Sequence, residues 1–207
     1  MTEMLERPTI IDVPHGSAGF QELCRTVLSM DVPDGYRAEI IGGKIVMSPW
    51  SLLCYTPIMQ SIEMQLRPHV PAAHRIAMAP NLVAFPEQER CYGPDLYAAA
   101  ASAFKGRRRG HFLDREALSL AVELTSPSTR DQDWKDKLRV YGTSGVPVYL
   151  LLDMLDEMAS VFWEPSEEGY VKRDTVAFGE TLHIPAPFDC QLDTADFLDA
   201  LRDDEDE

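Results

Sequence analysis

Two acidic residues stand where a strand pattern would otherwise carry small or apolar side chains, and their types make them the first candidates for chemistry. Over residues 118–125 the two-residue period of a strand puts Leu118, Leu120, Val122 and Leu124 on one face. Ser119, Ala121, Glu123 and Thr125 fall on the other, so Glu123 is an acid in the middle of a core-like strand. Earlier, Pro94-Asp95 opens a run in which Asp95, Tyr97 and Ala99 alternate with Leu96, Ala98 and Ala100. An ionised carboxylate in such a setting is costly unless it is paired, hydrogen-bonded or bound to a cation. Two of them converging would make a divalent-metal site, and phosphodiester hydrolysis is the chemistry that such a site first implies.

The flanking patterns describe the elements that must position these acids. Residues 17–30 space Phe20, Leu23, Cys24, Val27 and Leu28 as a helix face. Residues 36–41 and 44–48 flank Gly42-Gly43, a pair that permits the positive φ angles of a tight hairpin. A helical pattern over 56–66 requires Pro57 in its first turn, and 81–85 reads as a strand. After Glu123, Ser128 or Thr129 is expected to cap a helix, with Asp131 or Gln132 three residues on, that carries Trp134, Leu138, Val140 and Tyr141 and ends near Gly145-Val146-Pro147. A strand at 148–153 follows, then strands at 158–163 and 170–177 and a closing amphipathic helix over 192–201. Strand, helix and strand in that order predict a crossover unit in a mixed sheet, hence an α/β fold.

With 207 residues, 45% of them hydrophobic, the chain suits one domain with a substantial core. The expected organisation is an extended lead-in at 1–15, a domain over 16–202 and an acidic tail at 203–207. Cys24, Cys54, Cys91 and Cys190 are scattered without ligand-like or disulfide-like spacing, which suits a reducing compartment and makes the cytoplasm the expected location. Neither a basic-then-apolar leader nor a membrane-length apolar run is present, so no membrane association is expected. The formal net charge of −15 opposes nucleic-acid binding, since phosphate contacts rest on Lys and Arg. Against it stand the localisation of acids in the tail and one basic cluster, Lys105-Gly106-Arg107-Arg108-Arg109-Gly110-His111, in the connection between the two acidic strands.

In order, Tyr36-Arg37-Ala38-Glu39-Ile40-Ile41-Gly42-Gly43-Lys44-Ile45-Val46-Met47-Ser48-Pro49, Pro94-Asp95, Val122-Glu123-Leu124-Thr125-Ser126-Pro127-Ser128-Thr129, then Asp133, Lys137, Tyr141 and Gly145-Val146-Pro147-Val148-Tyr149 make up a recognisable series. It resembles the Uma-two family of restriction endonucleases, within the PD-(D/E)XK nuclease-like superfamily, from about Phe20 to Leu201. The resemblance implies a restriction-endonuclease-like core, a mixed central sheet flanked by helices, with the site at strand ends. It implies a DNA endonuclease in which Asp95 and Glu123 hold Mg²⁺, for which Mn²⁺ can substitute, with Glu39 as an auxiliary acid. Restriction-like folds often pair to cut two strands, so a homodimer is left open.

This chain departs from the nuclease pattern at the lysine, because Thr125 stands two residues after Glu123. In the Uma-two type the lysine lies on the following helix, where Lys135 and Lys137 stand, and the family spacing Asp-x-x-x-Lys selects Asp133 and Lys137. The same spacing also describes an exposed helix ion pair, and both readings stay open. Glu39 is otherwise an acid on a half-exposed hairpin, Asp95 a turn acid and Glu123 a buried structural ion-pair partner. Tyr141 and Trp134 read as packing residues, and the hydroxyls of Ser126, Ser128 and Thr129 read as caps, not nucleophiles. Many relatives carry a histidine near the start of the helix after Met47-Ser48-Pro49, where this chain has Cys54-Tyr55-Thr56, so no role for that histidine transfers here. Besides a DNA endonuclease, a catalytically silent module binding nucleic acid or protein and a hydrolase of non-nucleic phosphoesters are compatible with these residues.

Overall fold

Gly42 and Gly43 adopt φ of +60° and +70°, and this turn folds β1 (Tyr36–Ile41) back onto β2 (Lys44–Pro49) in the expected hairpin. The structure, a computed structural model, describes residues 12–78, 81–105 and 110–201. Most of the lead-in, the acidic tail and residues 106–109 of the basic cluster lie outside the described residues. Before the hairpin, α1 (Ala18–Ser29) starts at Ser17, whose hydroxyl accepts the Phe20 N–H at 3.1 Å. After it, α2 (Tyr55–Leu66) holds Pro57 in its first turn, as the missing N–H requires.

After the hairpin come β3 (His74–Met78), β4 (Leu82–Phe85), β5 (Arg90–Tyr92), β6 (Leu96–Ala100), β7 (Phe112–Asp114), β8 (Leu118–Leu124), β9 (Val148–Asp153), β10 (Met158–Ser166), β11 (Gly169–Ala177) and β12 (Thr181–Ile184). The last strand is β13 (Cys190–Asp193), and α5 (Phe197–Leu201) ends the fold. A six-stranded mixed sheet in the order β11-β10-β9-β8-β6-β3 forms the centre, its one parallel pair being β8 and β9. The connection between those two is α3 (Arg130–Gln132), a π-turn (Asp133–Lys137) and α4 (Leu138–Thr143), one continuous helical segment that realises the predicted crossover. A second sheet, β2-β1-β5-β4-β7, and the β12-β13 hairpin complete the mixed α+β architecture.

The centre of this sheet is covered on both faces, which explains why β8 and β9 are buried along their whole length. One face sets Leu120, Val122, Leu150 and Leu152 against Ile58, Ile62 and Leu66 of α2 and against the β12-β13 hairpin. On the other, beside the small Ala99 and Ala121, lie Tyr97, Tyr149 and Tyr141; Tyr149 packs on Tyr141, and Tyr141 packs in turn on Phe85 and Tyr92 of the second sheet. Each fully buried aliphatic side chain contributes roughly 1.5–3 kcal/mol. Phe20, Cys24 and Val27 of α1 cover the far side of the second sheet.

Two expectations need correction. The closing helix over 192–201 is instead strand β13 followed by the short α5, because buried Cys190 and Leu192 alternate with exposed Gln191 and Asp193. Thr129 begins the crossover helix, but its hydroxyl accepts the Ser126 N–H at 3.1 Å and makes no cap, so the capping box does not form. No helix among the described residues is long and apolar enough to cross a membrane.

Candidate active site

Glu123 leaves β8 on the aromatic face of the central sheet and is 1% exposed. The π-turn carries Lys137 over that face, with its Nζ 2.9 Å from Glu123 Oε2 and 3.0 Å from Asp133 Oδ1. Glu39, on β1 of the second sheet, comes within 3.6 Å of the same ammonium. Lys137 is fully buried, so three carboxylates from three elements close around one cation. Asp95 lies beside this group without joining it. Its Oδ2 accepts the Leu124 N–H at 2.9 Å, and its Oδ1 takes Arg37 Nη1 at 2.9 Å and the Ser51 hydroxyl at 3.3 Å.

Local structure explains these positions. A backbone bond from Asp95 N–H to Val122 O at 3.1 Å sets Asp95 against the strand that bears Glu123. The turn after β5 offers the Gly93 N–H to Glu39 Oε1 at 2.8 Å. Arg90 and Tyr92, also on β5, hold Asp136 at 2.9 and 2.8 Å, pinning the π-turn from its outer side. Within that turn the Leu138 N–H reaches back five residues to Asp133 O, which also accepts the Tyr149 hydroxyl at 3.2 Å. Widened turns of this kind occur often at functional sites. Tyr141, one turn further along, donates to Glu123 Oε1 at 2.9 Å.

The electrostatics follow from burial. Removing Glu123 from water pushes its carboxyl up to about 8, against the pull of Lys137, with Asp133, Asp95 and Glu39 adding to the rise. Burial raises Asp133 likewise, Lys137 opposing it. Burial alone would lower Lys137, but Asp133, Glu123 and Glu39 hold it well above its ordinary value and keep it charged. If every group is ionised, four carboxylates face, among the described residues, the two cations Arg37 and Lys137. Such a cluster binds either protons or a further cation.

All four residues expected to form the site, Asp95, Glu123, Lys137 and Glu39, are therefore brought to one region. The half-exposed hairpin position envisaged for Glu39 is corrected, since it is 1% exposed. The Asp133-Lys137 pair exists but is buried, while Lys135 and Asp131 form the surface pair at 3.0 Å. Reading the sequence missed Arg37, Tyr141 and the inward role of Asp133. Arg37 was findable because it shares a hairpin face with Glu39 by the two-residue period. Trp134 is also more than packing: its indole N–H donates to Asp153 Oδ2 at 2.6 Å.

A divalent ion tests differently against the kind and the placement of these groups. In kind they fit, since carboxylate oxygens suit a hard cation and Glu39 Oε2 is a buried oxygen without a hydrogen-bond partner. In placement, Arg37 holds Asp95 and Lys137 holds Glu123, and among the described residues no group of three or more His, Cys, Asp or Glu side chains is disposed to hold a metal.

In structure the chain is similar to "a putative nuclease belonging to DUF820" from Anabaena variabilis ATCC 29413, with a TM-score of 0.64 and 16% identity over 84% of this chain and 96% of that one. At that identity the likeness speaks for the fold. No curated protein matches the chain. The family model Uma2, described as "Putative restriction endonuclease", matches residues 19–195, and the chain belongs to that family.

Proposed function

We propose that this protein is a divalent-metal-dependent endonuclease that hydrolyses DNA phosphodiester bonds. One observation carries the reading: Lys137, delivered by the helix after β8, meets Glu123 at 2.9 Å, so the cation lacking at Thr125 is supplied from another element. Asp95 and Glu123 would hold the ion, Mg²⁺ or Mn²⁺, which would supply Lewis-acid stabilisation of the phosphoryl oxygens and an acidified water. Lys137 would offset the negative charge that grows on the phosphoryl group, and its contacts with Asp133 and Glu39 hold it beside Glu123. Tyr141 fixes the Glu123 carboxylate through Oε1 and leaves Oε2 to the lysine.

The test is nicking of plasmid and degradation of single-stranded DNA by the purified full chain with added Mg²⁺ or Mn²⁺. Cleavage should stop with chelator and fall at least about a hundredfold in Glu123→Gln. A Glu123→Gln protein that cleaves as fast as wild type would overturn the assignment. A second reading, a silent nuclease-fold module that binds nucleic acid or protein, is favoured by the closed lysine-carboxylate cluster. It gains if wild type cleaves with neither metal.

A further inference from the structure

Beside the acidic cluster, Trp50 stands between two cavities and is 51% exposed. One cavity, of about 300 Å³, is lined by Tyr55, Leu124, Ser126 and Ser128 among others. The other, of about 200 Å³, reaches Glu39 and Gly93. Arg37 lines both, with its guanidinium on Asp95. The main chain at Trp50 is held where its N–H donates to Gly35 O at 2.9 Å. Leu52, which lines the first cavity, is 58% exposed, and its neighbour Leu53 is 90% exposed.

We propose that Trp50 is a stacking platform for a base of a single DNA strand, and that unpaired DNA is the substrate class; this rests on the nuclease reading above. Four observations favour that occupant. The carboxylates are only 1–4% exposed. A duplex presents its phosphates on a stiff convex surface and keeps its bases inside, so it cannot lower a backbone into cavities of this size. An unpaired strand can turn a base out onto an aromatic face while its phosphate descends beside it. Volumes of 200–300 Å³ lie at the small end for ligand sites and suit one nucleotide at a time. Stacking does not depend on charge, which matters for a chain of net charge −15. Finally, Ser126 and Ser128 line the first cavity with hydroxyls, here bonded to each other at 3.1 Å, of a kind that can also meet sugar and phosphate oxygens.

The experiment is fluorescence anisotropy of a labelled oligothymidylate of about 12 nucleotides, in chelator, with the full chain and its Trp50→Ala and Trp50→Phe variants. Trp50→Ala should weaken binding on the order of tenfold, and Trp50→Phe should restore most of it. An oligonucleotide with abasic positions should lose a similar factor with wild type and little with Trp50→Ala. A labelled hairpin duplex should bind more weakly than the single strand. Equal binding by wild type and Trp50→Ala, preference for the duplex, or no binding of the oligonucleotide overturns the inference. If plasmid is nicked under metal despite such a result, the nuclease reading stands and the platform falls. Trp50-dependent binding without cleavage under any metal leaves the platform and removes the nuclease.

Discussion

At the scale of single residues, the group that decides most is Lys137, because an ammonium with no exposure is tolerable only among its carboxylates. Lys137→Ala leaves Glu123, Asp133 and Glu39 facing one another without it. That loss is expected to cost about 3–5 kcal/mol and to lower the melting temperature on the order of 10 °C, measured by circular dichroism. An unchanged melting temperature would show that the cluster rearranges freely. Glu123→Gln separates chemistry from folding more cleanly. Folded Glu123 holds its proton up to about 8, against an ordinary value of 4.5, so its contribution is complete below 4.5 and is lost as pH rises through about 8. In chelator, Glu123→Gln should therefore melt within about 1 °C of wild type at pH 5 and at least about 3 °C above it at pH 9. A constant difference across that range would mean that Glu123 is ionised throughout. The acids were legible in the sequence because each breaks a strand pattern. Arg37 could be placed only through its hairpin face shared with Glu39, and Tyr141 not at all, since a tyrosine on a helix breaks no pattern and only its partner reveals it.

At the scale of elements, the crossover helix must approach β11 closely to deliver Lys137 across the sheet. Gly142 marks the contact: a Cβ there would lie 2.8 Å from Gly169 C and Tyr170 N, both backbone atoms that cannot swing aside. Gly142→Ala should thus cost about 3 kcal/mol, near the upper end for overpacking, and lower the melting temperature by roughly 6–12 °C. Activity per folded molecule should fall too, because the helix that moves is the one bearing Lys137. A melting temperature within about 1 °C of wild type would show that β11 yields. The hairpin, α1, α2 and the β8-helix-β9 crossover were readable from a glycine pair, a first-turn proline and apolar periods of fixed length. The π-turn was not, because it answers to Asp136 being held by Arg90 and Tyr92, contacts 44 and 46 residues distant along the chain. Short strands β5, β7 and β12 escaped for a related reason: three or four residues carry too little alternation, and their partners decide the pairing.

At the scale of the whole molecule, a net charge of −15 must coexist with a polyanionic substrate. Long-range repulsion is screened beyond about 10 Å at 0.1 M salt, so added salt eases the approach of the strand. Among the described residues lining the two cavities, the basic side chain is Arg37, and Asp95 already engages it, which leaves little counterion release to oppose that gain. Affinity for single-stranded DNA is therefore expected to change by less than about threefold between 50 and 200 mM salt, whereas a protein with 6–10 phosphate contacts loses about 10³–10⁵. Titrations at several salt concentrations decide the matter. A steep loss would assign the attraction to a basic surface, and Arg107, Arg108 and Arg109 are where the sequence concentrates such charge. Replacing those three by alanine would then flatten the slope by about 0.7 for each phosphate contact removed, while leaving the Trp50 contribution intact.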